Sequence, residues 1–139
     1  MKKFKLGRKI INENSSPYFI AEVGVNHENN ISRAKKQIEL AKKGGADGVK
    51  FQTYKADKLA CKVSPYYWDL KEIPVNSQYK LFKKFDKFGL KEYRILKKHC
   101  DKLNIDFLST PFDLEAVDYL DDLVPFFKVA SADLTNFPL

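Results

Sequence analysis

Cysteine is scarce: Cys61 and Cys100 are the only two in 139 residues. That is too few for a disulfide framework, and neither stands at a metal-ligand spacing, so both read as reduced thiols. No apolar run approaches a membrane span, and none of signal-peptide length follows the charged stretch Met1 to Lys9. A cytoplasmic location without a membrane partner is the expectation. No Gly-x-Gly-x-x-Gly or Walker A loop occurs, so the nucleotide-binding α/β folds have no motif to stand on. Arginine-rich runs and base-stacking motifs are missing too, which sets nucleic acid aside despite a formal charge of +7. The excess lies in Lys35-Lys36, Lys42-Lys43, Lys83-Lys84 and Lys97-Lys98. These pairs fall on helices with an apolar opposite face, so a solvated helix surface explains them, and small anionic metabolites gain from the field.

What is present is a globular composition, 44% hydrophobic and 31% charged, enough for one domain with a core. Phe4 to Ile11, broken by Gly7, reads as a hairpin. Residues 1–17 are therefore expected to form an arm, with the domain over 18–139. Tyr18 to Val23 is a first strand, leading through the polar loop Gly24 to Asn30 into a helix capped by Asn30 and stopped by Gly44. Asp47 to Gln52 is a second strand. The connection from Lys55 to about Val75 is too long to be idle, and Tyr66-Tyr67-Trp68 marks it as ordered and packed. Gln78 to Asp86 and Lys91 to Leu103 read as helices, the latter with Tyr93, Leu96, Cys100 and Leu103 on one stripe. Ile105 to Leu108 is a third strand, Leu114 to Leu123 a helix capped by Asp113, and Phe127 to Ala130 a fourth strand. The order βαβαβαβ predicts a parallel sheet, either open and doubly wound or part of a (β/α)8 barrel.

Two of these strands carry a lysine where both faces should be covered: Lys50 in Asp-Gly-Val-Lys-Phe-Gln and Lys128 in Phe-Phe-Lys-Val-Ala. An ammonium in such a place needs an anion, from a carboxylate partner such as Glu22, Asp47 or Asp133, or from a ligand. Two of them point to a site for a doubly charged anion. In a parallel α/β fold ligands sit beyond the carboxyl ends of the strands. There the first strand delivers Glu22, Asn26 and His27, the second Lys50 and Gln52, the third Thr110 and Phe112, and the fourth Lys128, Ser131 and Asp133. A core built for stability alone would be Val, Ile and Leu at these positions. The set suits a phosphate or carboxylate held by Lys50 and Lys128, with Glu22 and Asp133 as acid, base or hydroxyl acceptors. His27 suits a metal ligand, a proton carrier, or a hydrogen-bonding role shaping its loop. His99, on a lysine-rich helix, has no assignment.

The stretches Ile20-Ala-Glu-Val-Gly-Val-Asn-His27, Gly45-Ala-Asp-Gly-Val-Lys-Phe-Gln-Thr53, Phe107-Leu-Ser-Thr-Pro-Phe-Asp113 and Phe127 to Leu139 are similar to motifs of the sialic acid synthase group of nonulosonic acid synthases, and they run in that family's order. The resemblance implies the N-terminal half of a (β/α)8 TIM barrel. It also implies condensation of phosphoenolpyruvate with an N-acetylmannosamine-type sugar, giving a nine-carbon 2-keto acid and phosphate. By motif, Lys50, Lys128 and Ser131 would hold phosphoenolpyruvate, while Gln52, Thr110 and Phe112 would line the sugar side. Glu22 falls on that sugar side and Asp133 beside the forming bond, the two carboxylates taken as catalytic. A divalent metal, Mn2+ or Mg2+, serves the family, and its ligands are expected outside this chain. A homodimer is implied for the full-length enzymes.

Where the family commonly reads Ser-Gly-Glu, this chain has Ser131-Ala132-Asp133, with a more restricted backbone and a shorter carboxylate. A whole barrel needs roughly 250 residues, so this chain is expected to be truncated and inactive alone. Two other readings stand beside the synthase. One is an inactive, self-associating half-barrel; the other is a related phosphoenolpyruvate-sugar synthase with another sugar. A phosphorylated sugar would call for further basic residues, which Gln52, Thr110 and Phe112 do not supply.

Overall fold

The computed structural model describes residues 2–139. Two short strands, β1 (Phe4–Leu6) and β2 (Lys9–Ile11), form an antiparallel hairpin turning at Gly7 and Arg8. A three-stranded parallel sheet follows, built from β3 (Ile20–Gly24), β4 (Gly48–Thr53) and β5 (Asp106–Pro111) in the order β3-β4-β5. The helices are α1 (Ile31–Lys43), α2 (Ala56–Leu59), α3 (Gln78–Phe85), α4 (Leu90–Lys102) and α5 (Leu114–Asp121).

Local chemistry sets the helix ends. Asn30 accepts from the Arg33 amide to start α1, Ser77 from Lys80 to start α3, and Asp113 from Ala116 to start α5. Each side-chain oxygen satisfies an amide that has no partner within its helix. Glu92 reaches back to the Gly89 amide at 3.0 Å and does the same for α4.

Helical and strand periodicities then meet in one core. Val49, Phe51 and Phe107 project from one face of the sheet onto Ala34 and Ile38 of α1 and Leu96 of α4. Tyr93 packs at an angle against Phe107, 6.0 Å between ring centroids. The other face of the sheet carries Glu22, Lys50, Gln52, Leu108 and Thr110, because strand side chains alternate.

The hairpin is fastened to the N-terminal end of the sheet by a carboxylate. Asp106, buried at the start of β5, accepts from the Arg8 amide at 2.8 Å and from the Tyr18 hydroxyl at 2.6 Å, and pairs with the Arg8 guanidinium at 3.1 Å. Burial, reinforced by the Asp106 carboxylate, pushes the Tyr18 phenol well above its ordinary range. Asp47 closes the same end, pairing with Lys9 at 3.3 Å and accepting from the Phe19 amide at 2.8 Å.

The connection between β4 and α3 is irregular apart from α2, yet it is fastened throughout. Lys55 donates to the carbonyls of Asp86 and Phe88, at 2.6 and 2.9 Å. The half-buried Trp68 indole donates to the carbonyls of Ile73 and Val75, at 3.1 and 2.9 Å. Tyr67 packs edge-on against Trp68 at 5.2 Å, so these aromatics fold onto one another as the composition of the segment predicts.

One expected element is missing. Phe127 to Ala130 has extended backbone at Ala130 but enters no ladder, and the parallel sheet has three strands among the described residues. A parallel strand is held by ladder bonds and covered faces. Phe127, Lys128 and Val129 are all exposed, and a short 3-10 turn, Ser131–Asp133, follows at once.

Candidate active site

The exposed lip of the sheet's polar face lies at the carboxyl ends of the strands. The register sets Glu22 beside Lys50 and Gln52 beside Thr110. Lys50 is only 8% exposed. Its ammonium is in contact with the Glu22 carboxylate and donates to Thr110 Oγ1 at 3.3 Å. The Glu22 side chain is half-exposed, so the pair has a dry end and a wet end. A single water-facing carboxylate leaves a buried ammonium able to take a second anion from the open side.

The backbone is irregular at this lip. The β3-β4 register breaks between Glu22 and Gly24, where Gly24 takes φ +55. A Cβ there would lie 3.4 Å from Glu22 Oε1 and 3.7 Å from the Gln52 side-chain carbon. Those are ordinary contact distances, so it is the left-handed backbone that calls for glycine here. Beside the break, the backbone carbonyl of Gln52 accepts from the buried Tyr93 hydroxyl at 2.9 Å. Phe112 continues from β5, its amide donating to the Thr53 carbonyl at 3.1 Å and its ring edge-on to Tyr54 at 6.1 Å.

The structure thus brings together Glu22, Lys50, Gln52 and Thr110, with Phe112 adjacent. It does not bury the second lysine. Lys128 is exposed, because its segment enters no ladder and nothing among the described residues covers its second face. It lines a cleft of about 350 Å³ with Asp133, Pro111, Val117 and Phe137. Ser131 is exposed and Asp133 half-buried, its Oδ1 accepting from Asn136 at 3.3 Å. The expectation of two lysines buried in strands is therefore corrected to one.

His27 also differs from its place at the strand ends. It is 1% exposed and lies on the helix side of the sheet, stacked on Phe88 at 4.1 Å. Its Nδ1 accepts from the Asn29 amide at 3.1 Å. Left-handed φ values at Glu28 and Asn29 shape the turn around that bond. Burial pushes the imidazole down to about 4, so it is neutral at pH 7. This is the loop-shaping role.

The residues present do not fit a divalent cation. Among the described residues no three His, Cys, Asp or Glu side chains converge as a ligand set. His27, walled by Phe51 and Phe88, has the wrong surroundings for a metal ligand.

Two residues of consequence escaped the sequence reading. Asp106 is a charge inside a strand, the same signal that singled out Lys50. Tyr93 reads simply as part of an apolar stripe, and its hydroxyl contact has no sequence signature.

The model of the NeuB family matches residues 37–139. The chain belongs to the NeuB family. Among its relatives, an N,N'-diacetyllegionaminic acid synthase of Campylobacter jejuni is 44% identical over 86% of this chain and 36% of its own length. An uncharacterised protein of Methanocaldococcus jannaschii is 39% identical over 100% of the chain and 38% of its own length. The crystal structure of the N-acetylneuraminic acid synthetase of Leptospira borgpetersenii superposes with a TM-score of 0.82 at 31% identity, covering 99% of this chain and 44% of that one. The chain thus spans well under half the length of these curated relatives. Its βα units correspond to the N-terminal part of the sialic acid synthase TIM-barrel fold.

Proposed function

We propose that this chain supplies the phosphoenolpyruvate-binding half of a nonulosonic acid synthase. The observation that carries the reading is Lys50, a nearly buried ammonium at a strand's carboxyl end. It touches a water-facing Glu22 and stands among Gln52 and Thr110. Lys50 would neutralise an acidic group of phosphoenolpyruvate, with Lys128 and Ser131 closing on it from the segment after α5. Glu22, Gln52, Thr110 and Phe112 would face an N-acetylated mannosamine-type sugar, and Asp133 the forming bond. The enol-phosphate carbon attacks the open-chain sugar aldehyde. Water adds at the phosphate-bearing carbon, and the carbon–oxygen bond breaks to leave a 2-keto acid and phosphate. Fixed cations beside the spreading negative charge are the protein's contribution. Any divalent cation serving the sugar would be held by residues other than these.

The names of the relatives support this product class. A further relative is named for a 9-phosphate product. The unphosphorylated sugar is favoured here because the sugar side presents Gln52, Thr110 and Phe112 rather than further cations. Such a soluble biosynthetic step suits the cytoplasm.

The test is phosphate release from phosphoenolpyruvate, dependent on added sugar and divalent metal, by the longest polypeptide that contains this sequence. Release with N-acetylmannosamine or a diacetamido sugar, abolished in Lys50→Met, is the expected result. Equal release without sugar overturns the reading. The 139-residue chain alone is expected to give none above background.

A further inference from the structure

We propose that Tyr93 is a positioning residue for the sugar. Its hydroxyl, together with the hydroxyl pair of Thr53 and Ser109, holds the end of β4 from the helix side, so that Gln52 on the opposite face is aimed into the site. The inference rests on the synthase reading and adds to it residues that touch no substrate.

The end of β4 is supported unequally by its two neighbours. Towards β3 the ladder stops at Gly24 opposite Phe51, just past the register break, so among the described residues Gln52 and Thr53 have no partner on that strand. Towards β5 it runs on, with Gln52 opposite Thr110 and Thr53 opposite Pro111. A strand end laddered on one side leaves backbone groups to be satisfied from elsewhere. The Gln52 carbonyl is satisfied by the Tyr93 hydroxyl at 2.9 Å. The next side chain is fixed on the same helix-facing side, Thr53 Oγ1 lying 2.6 Å from Ser109 Oγ on β5, with both residues 1% exposed. Gln52 thus has its carbonyl anchored to α4 while its side chain stands on the polar face.

Tyr93 is itself held in place. It lies in the first turn of α4, where its amide donates to the Gly89 carbonyl at 3.0 Å. Phe88 and Phe107 both pack against its ring, each 6.0 Å between centroids. Burial pushes its phenol well above the ordinary range, so it stays a donor at neutral pH. Packing alone needs no hydroxyl, since phenylalanine would fill the same space. Removing the oxygen leaves the Gln52 carbonyl without its donor, and the strand end regains one only by shifting. Such a shift carries the Gln52 amide off its line, and a small misplacement at a binding group is expensive. Lys50 is spared, because it is still laddered on both sides, opposite Glu22 on β3 and Leu108 on β5. The sugar side should therefore feel the loss and the phosphoenolpyruvate side should not.

The experiment is steady-state phosphate release by the longest polypeptide containing this sequence, with whichever of N-acetylmannosamine or a diacetamido sugar supports it. Tyr93→Phe should raise the KM for the sugar by about tenfold and leave the KM for phosphoenolpyruvate within about twofold. In a Gln52→Ala background the same substitution should change the sugar KM by no more than about twofold, because the group it aims is gone. Ile38→Val, a loss of core packing on α1 where Ile38 is fully buried, should lower the urea midpoint and leave the sugar KM as in wild type. Should Tyr93→Phe fail to fold, Thr53→Val, nearly the same in shape, should move the same KM and be silenced by Gln52→Ala in the same way. Equal rises in both KM values, a full tenfold effect without Gln52, or a sugar KM that follows stability in Ile38→Val overturns the proposal while the synthase reading stands. Wild-type release that needs no sugar overturns the synthase reading and this proposal with it.

Discussion

Gly7 and Asp106 stand so close that a Cβ on Gly7 would lie 1.8 Å from the Asp106 Oδ2. The hairpin can seat on the sheet only because residue 7 has no side chain and takes φ +57. Gly7→Ala should therefore cost about 2 kcal/mol or more, from left-handed strain and the displaced carboxylate together. Urea unfolding followed by circular dichroism measures it. An alanine variant as stable as wild type would remove Asp106 as the hairpin's anchor.

Lys50→Met should separate function from fold. Its partner Glu22 is half-exposed and can return to water, so the stability change should stay within about 1 kcal/mol. Turnover by the longest polypeptide containing this sequence should fall by about 100-fold or more, the usual cost of removing one preorganised charge. Comparable losses in both would make Lys50 a structural residue.

His27 predicts an acid-side loss of stability. Its folded pKa, about 4, lies below the ordinary 6.5 because burial penalises the imidazolium. Below pH 6.5 the unfolded chain binds a proton that the folded chain refuses. The stability contribution is whole above pH 6.5 and drains away as pH falls towards 4, by roughly 3 kcal/mol at most. Urea midpoints between pH 7.5 and 4.5 should fall less steeply in His27→Gln than in wild type. Parallel profiles would place the acid sensitivity elsewhere.

The two thiols should differ sharply towards a disulfide reagent. Cys61 is exposed, whereas Cys100 is buried on α4 with its thiol pushed up to about 12 by desolvation. One thiol should titrate in native buffer and two in denaturant. Two native equivalents would mean that α4 opens readily.

The elements legible in the sequence were those whose signal is local. Asn30, Asp113 and Gly44 bracket helices by side-chain and turn chemistry, and the α1 and α4 stripes show their period directly. Lys50 was legible because a charge in an apolar strand demands a partner, and Glu22 on the neighbouring strand supplies it. Lys128 carried the same signal and differs, because burial there depends on layers that these residues do not build around it. His27 lies next to Asn26 and Glu28 in a polar run, which hides that its ring packs on Phe88, 61 residues away in sequence and 4.1 Å in space. Long-range packing of that kind has no signature within its own stretch.

The indole clamp at Trp68 decides what an optical experiment on this protein reports. Trp68 is the single tryptophan of the chain, and it lies in the connection between β4 and α3, outside the core beneath the sheet. Its emission follows whether the carbonyls of Ile73 and Val75 still hold the ring. Fluorescence is thus a gauge of that one connection. A denaturation curve read at the indole will precede the curve read by circular dichroism whenever the connection lets go before the sheet does.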